Sequence, residues 1–194
     1  MTGQVPATAS GPTGSGFRRL EESELYRGAL VTVARGRFQA PDGSTFEREV
    51  VHHPGAVAVV PVLRPESGEV LLVRQYRAPL DRDLLEIPAG KRDVAAESPV
   101  ATARRELIEE VGCRAGRLEL LAEFYNSPGF CDEHSFVYLA LDLSPADSAA
   151  QGVEEQHMTV ERVELDDAPA LIRRGAIIDA KTIIGLTLAR EALA

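Results

Sequence analysis

Three neighbouring glutamates could together bind a divalent cation and so support chemistry on a phosphate group. Glu106, Glu109 and Glu110 have i, i+3 and i+4 spacing, which places their side chains on one face of an α-helix. Mg²⁺ would stabilise such clustered charges, because it prefers carboxylate oxygens and keeps water and substrate phosphates among its ligands. The alternative is a solvent-exposed acidic face on which Arg105 and Glu109 form an ordinary ion pair. The spacing therefore indicates a candidate metal site.

The segment that carries these glutamates has the boundary signals of a helix. Ser98 suits the N-cap, Pro99 the first helical position and Gly112 the position just beyond the last turn. We therefore predict a helix that begins at Pro99 and stops at Gly112. A turn at Gly90 and a loop that ends at Glu97 precede it.

Composition and charge restrict the class of protein. A chain of 194 residues, 44% of them hydrophobic, is most simply one domain with a sizeable core. The net charge of −9 argues against a nucleic-acid or anionic-membrane surface. Cys113 and Cys131 are too few for a disulfide framework, and neither has a metal-ligand spacing with a histidine. Because the sequence has neither a membrane-span pattern nor a signal pattern, we predict a cytoplasmic protein.

Hydrophobic periodicity and turn signals predict many strands after a tail. Residues 1–16 are rich in Gly, Pro, Ser, Thr and Ala and are predicted to be disordered. A turn signal at residues 41–43 makes the second and third predicted strands a hairpin. The predicted strands are 17–28, 30–38, 46–51, 56–60, 70–73, 84–87, 118–124, 136–141 and 158–165.

Two further helices are predicted near the C-terminus. Asp166 and Asp167 cap the first, which ends at Arg174, and Asp179 caps the second, which runs to about Ala192. The residues predicted to face the core from the second helix are Ile183, Ile184 and Leu188. This mixture of elements indicates an α/β/α sandwich with a mixed sheet between helices, preceded by added N-terminal antiparallel strands.

The stretch from Gly90 to Cys113 resembles the Nudix box, which is a very specific motif. The box reads Gly, five residues, Glu, seven residues, Arg-Glu, an aliphatic residue, any residue, Glu-Glu, any residue, Gly and a hydrophobic residue. Six residues rather than five separate Gly90 from Glu97, so the loop is longer by one here. The positions that match from the loop glutamate onward are Glu97, Arg105, Glu106, Leu107, Glu109, Glu110, Gly112 and Cys113.

This resemblance implies the Nudix fold and the hydrolysis of a nucleoside diphosphate linked to another group. In such phosphoryl transfer to water, positioning, metal neutralisation of the diphosphate and activation of the water supply most of the rate. The implied cofactor is Mg²⁺, with Mn²⁺ as a substitute. Arg105 is expected to orient Glu97 or Glu109 rather than to touch the substrate. The implied metal ligands are Glu106, Glu110, the assisting Glu109 and the carbonyl of Ala89.

Features outside the box resemble the branch of the family that hydrolyses ADP-ribose. Pro128 lies in a Ser-Pro-Gly turn, and Arg77 follows a buried strand, where its planar guanidinium suits a phosphate or ribose oxygen. In that branch a loop glutamate is the general base for the attacking water. Glu154 aligns best with it, Glu155 is the other candidate, and the plainer interpretation of both is a solvated loop. The residues that the resemblance implies at the substrate are Arg48, Arg74, Arg77, Glu86, Pro128 and Glu133.

The resemblance thus implies an ADP-ribose pyrophosphatase that releases AMP and ribose 5-phosphate. The alternatives are a hydrolase of another nucleoside diphosphate sugar, of the GDP-mannose type, and a regulator that binds ADP-ribose without cleaving it. Residues 17–194 are predicted to be a single Nudix domain. Within it, residues 17–52 would form the N-terminal sheet of a homodimer, and residues 53–194 would form the catalytic core.

Overall fold

A computed structural model describes residues 14–147 and 156–194 of the chain. Contacts divide the chain into two compact units, which are described separately below. The first unit consists of Met1–Pro54 and Tyr125–His134, and the second of Gly55–Phe124 and Ser135–Ala194. Residues 1–13 of the predicted tail lie outside the described residues. In the described ranges, no helix combines the length and the apolar character that a membrane span requires.

The first unit is built on a three-stranded antiparallel sheet in the order β1-β2-β3. Its strands are β1 (Arg18–Arg27), β2 (Thr32–Gln39) and β3 (Thr45–His52). The turn between β2 and β3 places Gly43 at φ 86°, a left-handed conformation that glycine adopts at no steric cost. The predicted hairpin and the antiparallel N-terminal strands are confirmed.

A loop over residues 126–133 is held against the end of β3 in the same unit. The amide of Val51 donates to the Phe130 carbonyl at 2.7 Å, and the amide of Asp132 donates to the Val51 carbonyl at 3.1 Å. The His52 ring lies between two carboxylates, with Nδ1 2.5 Å from Asp132 and Nε2 2.9 Å from Glu22. Burial lowers the pKa of His52, but these two hydrogen bonds outweigh it and raise the pKa. His52 therefore links the loop to β1 and β3.

The second unit contains a mixed sheet in the order β10-β5-β4-β9-β8, with β6 paired to β5 and β7 paired to β4. The β4–β9 pairing is parallel, and β4 is antiparallel to β5 and β7. The strands are β4 (Ala56–Arg64), β5 (Glu69–Arg77), β6 (Arg82–Glu86), β7 (Ala89–Lys91), β8 (Cys113–Tyr125), β9 (His134–Pro145) and β10 (Thr159–Glu164). The helices are α1 (Pro99–Val111), α2 (Ala168–Arg173) and α3 (Ala180–Ala192).

Alternate residues of β4 face opposite layers of this unit, as the two-residue period of a strand requires. Val57 and Val59 pack in a cluster with Leu107 of α1. Val60 and its alternate neighbours pack in a second cluster with Leu186 of α3. Helices therefore cover both faces of the sheet, and the predicted α/β/α sandwich with a mixed sheet is confirmed.

Helix α3 approaches the sheet more closely than the sequence interpretation allowed for. A Cβ added at Gly185 would lie 2.9 Å from Ile87 and 3.0 Å from Val60, so the absence of a side chain permits this packing. The residues of α3 that are buried are Thr182, Gly185, Leu186 and Ala189. The predicted core position of Ile183 is confirmed, because this partly buried side chain packs against the core cluster. Ile184 and Leu188 are only partly buried, so the prediction was wrong for them.

The predicted caps of two helices are confirmed and one is corrected. The Ser98 hydroxyl accepts a hydrogen bond from the Ala101 amide at 3.2 Å, and Gly112 ends α1 at φ 63°. Asp179 accepts from the Thr182 amide at 2.9 Å at the start of α3. Asp167 occupies the N-cap of α2 with a helical backbone and makes no side-chain cap hydrogen bond within the described residues, because a 3₁₀ turn precedes it.

Candidate active site

Helix α1 brings buried carboxylates together around one guanidinium. Glu106, Glu109 and Glu110 are 5%, 8% and 6% exposed, so this face of the helix is not the solvated surface of the plainer interpretation. Nη1 of Arg105 lies 2.7 Å from Glu106 and 2.8 Å from Glu109. Burial works against the charge of Arg105, but its hydrogen bonds and its acidic neighbours raise its pKa above the usual value. One guanidinium offsets only part of this negative charge.

The extra loop residue does not keep Glu97 away from the helix. Ala96 has φ 64°, in the left-handed region, and the Glu97 amide donates to the Val94 carbonyl at 3.2 Å. The Glu97 carboxylate accepts hydrogen bonds from the Thr102 hydroxyl at 2.9 Å and from Arg105 Nη2 at 3.3 Å. The loop therefore absorbs the insertion in its backbone, and Arg105 contacts both acidic residues that it was predicted to orient.

Strand β7 lies directly against the acidic face of α1. A Cβ added at Gly90 would lie 1.8 Å from the carboxylate of Glu106, so only a glycine leaves room for that carboxylate. The Ala89 amide donates to Glu110 Oε2 at 2.9 Å. This bond sets the backbone of Ala89, the predicted carbonyl ligand, beside the predicted carboxylate ligands.

The donor set fits a hard divalent cation. All of the predicted ligands are oxygens, and the carboxylates are buried with incomplete charge compensation from Arg105. Among the described residues, no three Cys, His, Asp or Glu side chains form a ready-made metal cage. Mg²⁺ does not need one, since it is usually held by one or two carboxylates together with water and substrate phosphates.

A second charged cluster, which the sequence interpretation did not assemble, lies at the ends of β5, β6 and α3. The Glu86 carboxylate is 1% exposed and accepts from Arg77 Nε at 2.8 Å and Nη2 at 2.6 Å. Lys181 Nζ also donates to Glu86 Oε2 and lies 3.0 Å from Asp179. Burial alone would raise the pKa of Glu86, but the hydrogen bond from Arg77 and the charge of Lys181 outweigh it and lower the pKa. We call these four residues the Arg77–Glu86–Lys181–Asp179 network.

Helix α3 also forms a hydrogen bond to the segment between β6 and β7, next to Glu86 of this network. The Ile87 amide donates to the Thr182 hydroxyl at 2.9 Å, and that hydroxyl donates to Asp179 at 2.6 Å. The network is also near the acidic helix, because the charge of Glu110 contributes to raising the pKa of Arg77. No local pattern predicted the role of Lys181, since it is 95 residues from Glu86.

The other predicted substrate residues in the described structure have different surroundings. In the second unit, Arg74 forms a bidentate pair with Glu161, at 2.5 Å from Nε and 3.2 Å from Nη2. In the first unit, the Arg48 guanidinium lies 4.8 Å from the Phe46 ring centroid. Also in the first unit, Ser127 and Phe130 close a hydrogen-bonded turn around Pro128, and Glu133 lies 3.7 Å from His53. Their predicted roles stay predictions.

The predicted general bases, Glu154 and Glu155, lie outside the described residues.

Comparison with known proteins agrees with the box and the fold. The NUDIX domain family matches residues 52–184. An ADP-ribose pyrophosphatase of Bacillus subtilis (strain 168) is 38% identical over 165 residues, which cover 85% of this chain and 88% of that protein. An ADP-ribose pyrophosphatase of Mycobacterium tuberculosis (strain ATCC 25618 / H37Rv) is 38% identical over 170 residues, which cover 88% and 81% respectively.

A solved structure supports the same assignment. The crystal structure of an ADP compounds hydrolase superposes with a TM-score of 0.79 at 25% identity, and covers 91% of this chain and 94% of that one. The chain belongs to the Nudix family. It is a Nudix pyrophosphatase, as the resemblance of the box predicted.

Proposed function

We propose that this protein hydrolyses the pyrophosphate bond of ADP-ribose and releases AMP and ribose 5-phosphate, with Mg²⁺ as its cofactor and Mn²⁺ as a substitute. The observation that carries the proposal is the set of three buried glutamates on α1 beside Gly90. The two ADP-ribose pyrophosphatases and the ADP compounds hydrolase to which the chain is similar support the choice of substrate.

In this proposal Glu106 and Glu110 hold the metal, with Glu109 and the Ala89 carbonyl as further ligands. A bound divalent cation supplies neutralisation of the diphosphate charge and lowers the pKa of a coordinated water. Arg105 keeps Glu97 and Glu109 in place through the ion pairs that the structure contains. Burial of the carboxylates favours metal binding, because three like charges held close together on one helix face are stabilised by a divalent cation.

The chain's other predicted groups would bind and orient the substrate. Arg77 donates to the diphosphate through the part of its guanidinium that Glu86 does not engage, and Arg48, Arg74, Pro128 and Glu133 contribute as the resemblance implies. Glu154, or Glu155, takes a proton from the attacking water. A positioned general base contributes roughly 10²–10⁴-fold to a rate.

We further propose a cytoplasmic homodimer that forms through the N-terminal sheet. Large apolar side chains of the first unit support this, since Leu25 is 47% exposed and Tyr26 is 61% exposed. Exposed apolar patches of this kind often mark protein–protein contacts.

The test is a substrate panel on the purified protein. We expect AMP and ribose 5-phosphate from ADP-ribose with Mg²⁺, and no release after chelation with EDTA. GDP-mannose serves as the matched substrate, and its kcat/KM should be lower. If ADP-ribose binds but no product forms at any Mg²⁺ or Mn²⁺ concentration, the protein is a regulator rather than an enzyme. If kcat/KM is higher for GDP-mannose than for ADP-ribose, the protein is a hydrolase of GDP-mannose-type substrates instead.

A further inference from the structure

We propose that Lys181 is a positioning residue for the substrate's diphosphate, because it neutralises Glu86 and so leaves the charge of Arg77 available to the phosphates. The inference rests on the proposed function, in which Arg77 binds the diphosphate. It assigns a specific role to the C-terminal helix, which contributes no residue to the Nudix box.

The charge balance of the network is the first step. A bidentate Arg77–Glu86 pair is neutral as a unit, so by itself it would offer little attraction to an anionic substrate. Lys181 adds a second cation to the same carboxylate. The pair together with Lys181 therefore carries a net positive charge.

Asp179 is the fourth charged group of the network, and it is also engaged at the start of α3. Its carboxylate accepts from the Thr182 amide at 2.9 Å and from the Thr182 hydroxyl at 2.6 Å. The N-terminus of a helix carries a partial positive charge of roughly +0.5. This end of α3 therefore offsets part of the Asp179 charge, although Lys181 contacts both carboxylates. With Lys181 the network balances two cations against two carboxylates, and without it the network would carry a net negative charge that repels a diphosphate.

The geometry of Arg77 is the second step. Its hydrogen bonds to Glu86 use Nε and Nη2, and within the described part of the chain its Nη1 has no hydrogen-bond partner. The Arg77 side chain is 37% exposed, whereas Glu86 is 1% exposed. Arg77 can therefore donate to a ligand at its open edge while Glu86 fixes the opposite edge.

The choice of a lysine is the third step. The chain has only two lysines, Lys91 and Lys181, and the side chain of Lys181 is 15% exposed. A compact ammonium with three donors can serve Glu86 and Asp179 at once. The Lys181 ammonium adds a positive charge without displacing the bidentate contact between Arg77 and Glu86.

The experiment compares K181M, K181Q and K181R with the wild type. Methionine removes both the charge and the donors, glutamine keeps a donor without the charge, and arginine keeps the charge. KM and kcat for ADP-ribose are measured with Mg²⁺, and the Kd of ADP-ribose is measured by calorimetry in EDTA. The control is R190M, which removes a cation from an exposed pair with Asp166 on the same helix.

We expect K181M and K181Q to raise both KM and Kd roughly tenfold, with kcat changed little. K181R should restore most of the affinity, and R190M should leave all three quantities unchanged. Thermal unfolding of each variant shows that the measurements are made on folded protein. K181Q provides the answer if K181M does not fold.

Three results would overturn the proposal. The first is a folded K181Q with wild-type KM and Kd, and the second is a fall in kcat at constant KM. The third is failure of both neutral variants to fold, which would make Lys181 a structural residue. If the wild type binds ADP-ribose in a Lys181-dependent way but never cleaves it, the proposed hydrolysis fails and the role of Lys181 stands.

Discussion

The two charged clusters of the second unit are both built around buried glutamates, yet they differ in charge balance. On α1, Glu97, Glu106 and Glu109 share the guanidinium of Arg105. In the Arg77–Glu86–Lys181–Asp179 network, two cations face two carboxylates, one of which caps α3. In the first cluster three carboxylates share one guanidinium, whereas in the second two cations face two carboxylates.

This difference separates a cluster that is proposed to bind a cation from one whose cations already face its carboxylates and that is proposed to contact the substrate through Arg77. Like charges that lie close together repel one another, and a cation bound between the α1 carboxylates would reduce that repulsion. The network meets its own electrostatic requirement and so contributes to stability. Substitutions of glutamate by glutamine should therefore act on activity in the first cluster and on stability in the second.

The largest effect is expected from E110Q. Glutamine keeps the shape and can still accept from the Ala89 amide, but it removes a charge from the predicted metal site. We expect kcat/KM for ADP-ribose to fall on the order of a thousandfold, while Tm stays the same or rises. E119Q is the control, because Glu119 forms an exposed pair with Arg117. An E110Q protein that melts, with full activity per folded molecule, would make this carboxylate structural.

The second-largest effect is expected from E86Q, which should lower the stability of the fold. The substitution leaves Arg77 and Lys181 close together without their shared anion. Removal of one partner from a buried ion pair costs about 3–5 kcal/mol, which should lower Tm by roughly 6–20 °C in a chain of this size. Thermal unfolding followed by circular dichroism measures this. A Tm equal to that of E119Q would contradict the contrast between the two clusters.

The smallest predicted effect is the pH dependence of that difference in stability. Folding lowers the pKa of Glu86 below the usual value for a glutamate. Its contribution to stability is therefore present above the unfolded pKa, which is about 4.3, and is lost as the pH falls through the folded pKa. The Tm difference between wild type and E86Q should therefore be full at pH 7 and should narrow on acidification. A difference that stays constant down to the acid limit of folding would show that folding does not lower the pKa of Glu86.

Prediction from sequence succeeded where the relevant contacts are local. Arg105 and Glu109 meet because a helix brings residues four apart together, and Glu106 and Glu109 share a face because they are three apart. Ser98 and Gly112 delimit that helix through their own backbone preferences. The continuous apolar run at residues 56–60 likewise indicated a buried strand before any neighbour was known.

Prediction from sequence was poorer where the rotation of a helix about its own axis decides which of its residues are buried. Ile184 and Leu188 were expected in the core because they are apolar, but they are only partly buried. The fully buried positions of α3 include Thr182 and Leu186 instead. The apolar pattern of α3 is spread around the helix, so sequence alone does not select one face. The rotation that buries Thr182 is also the one that brings it to the Ile87 amide.

By itself, the sequence determined the Nudix box and hence the acidic face of α1, because these residues interact through the short-range periodicity of a single helix. Only the tertiary structure decided that Gly90 would receive the Glu106 carboxylate and that Lys181 would reach Glu86. Those contacts depend on how closely a strand and a helix from distant parts of the chain approach the sheet. Such distances follow from core packing, which no local pattern encodes.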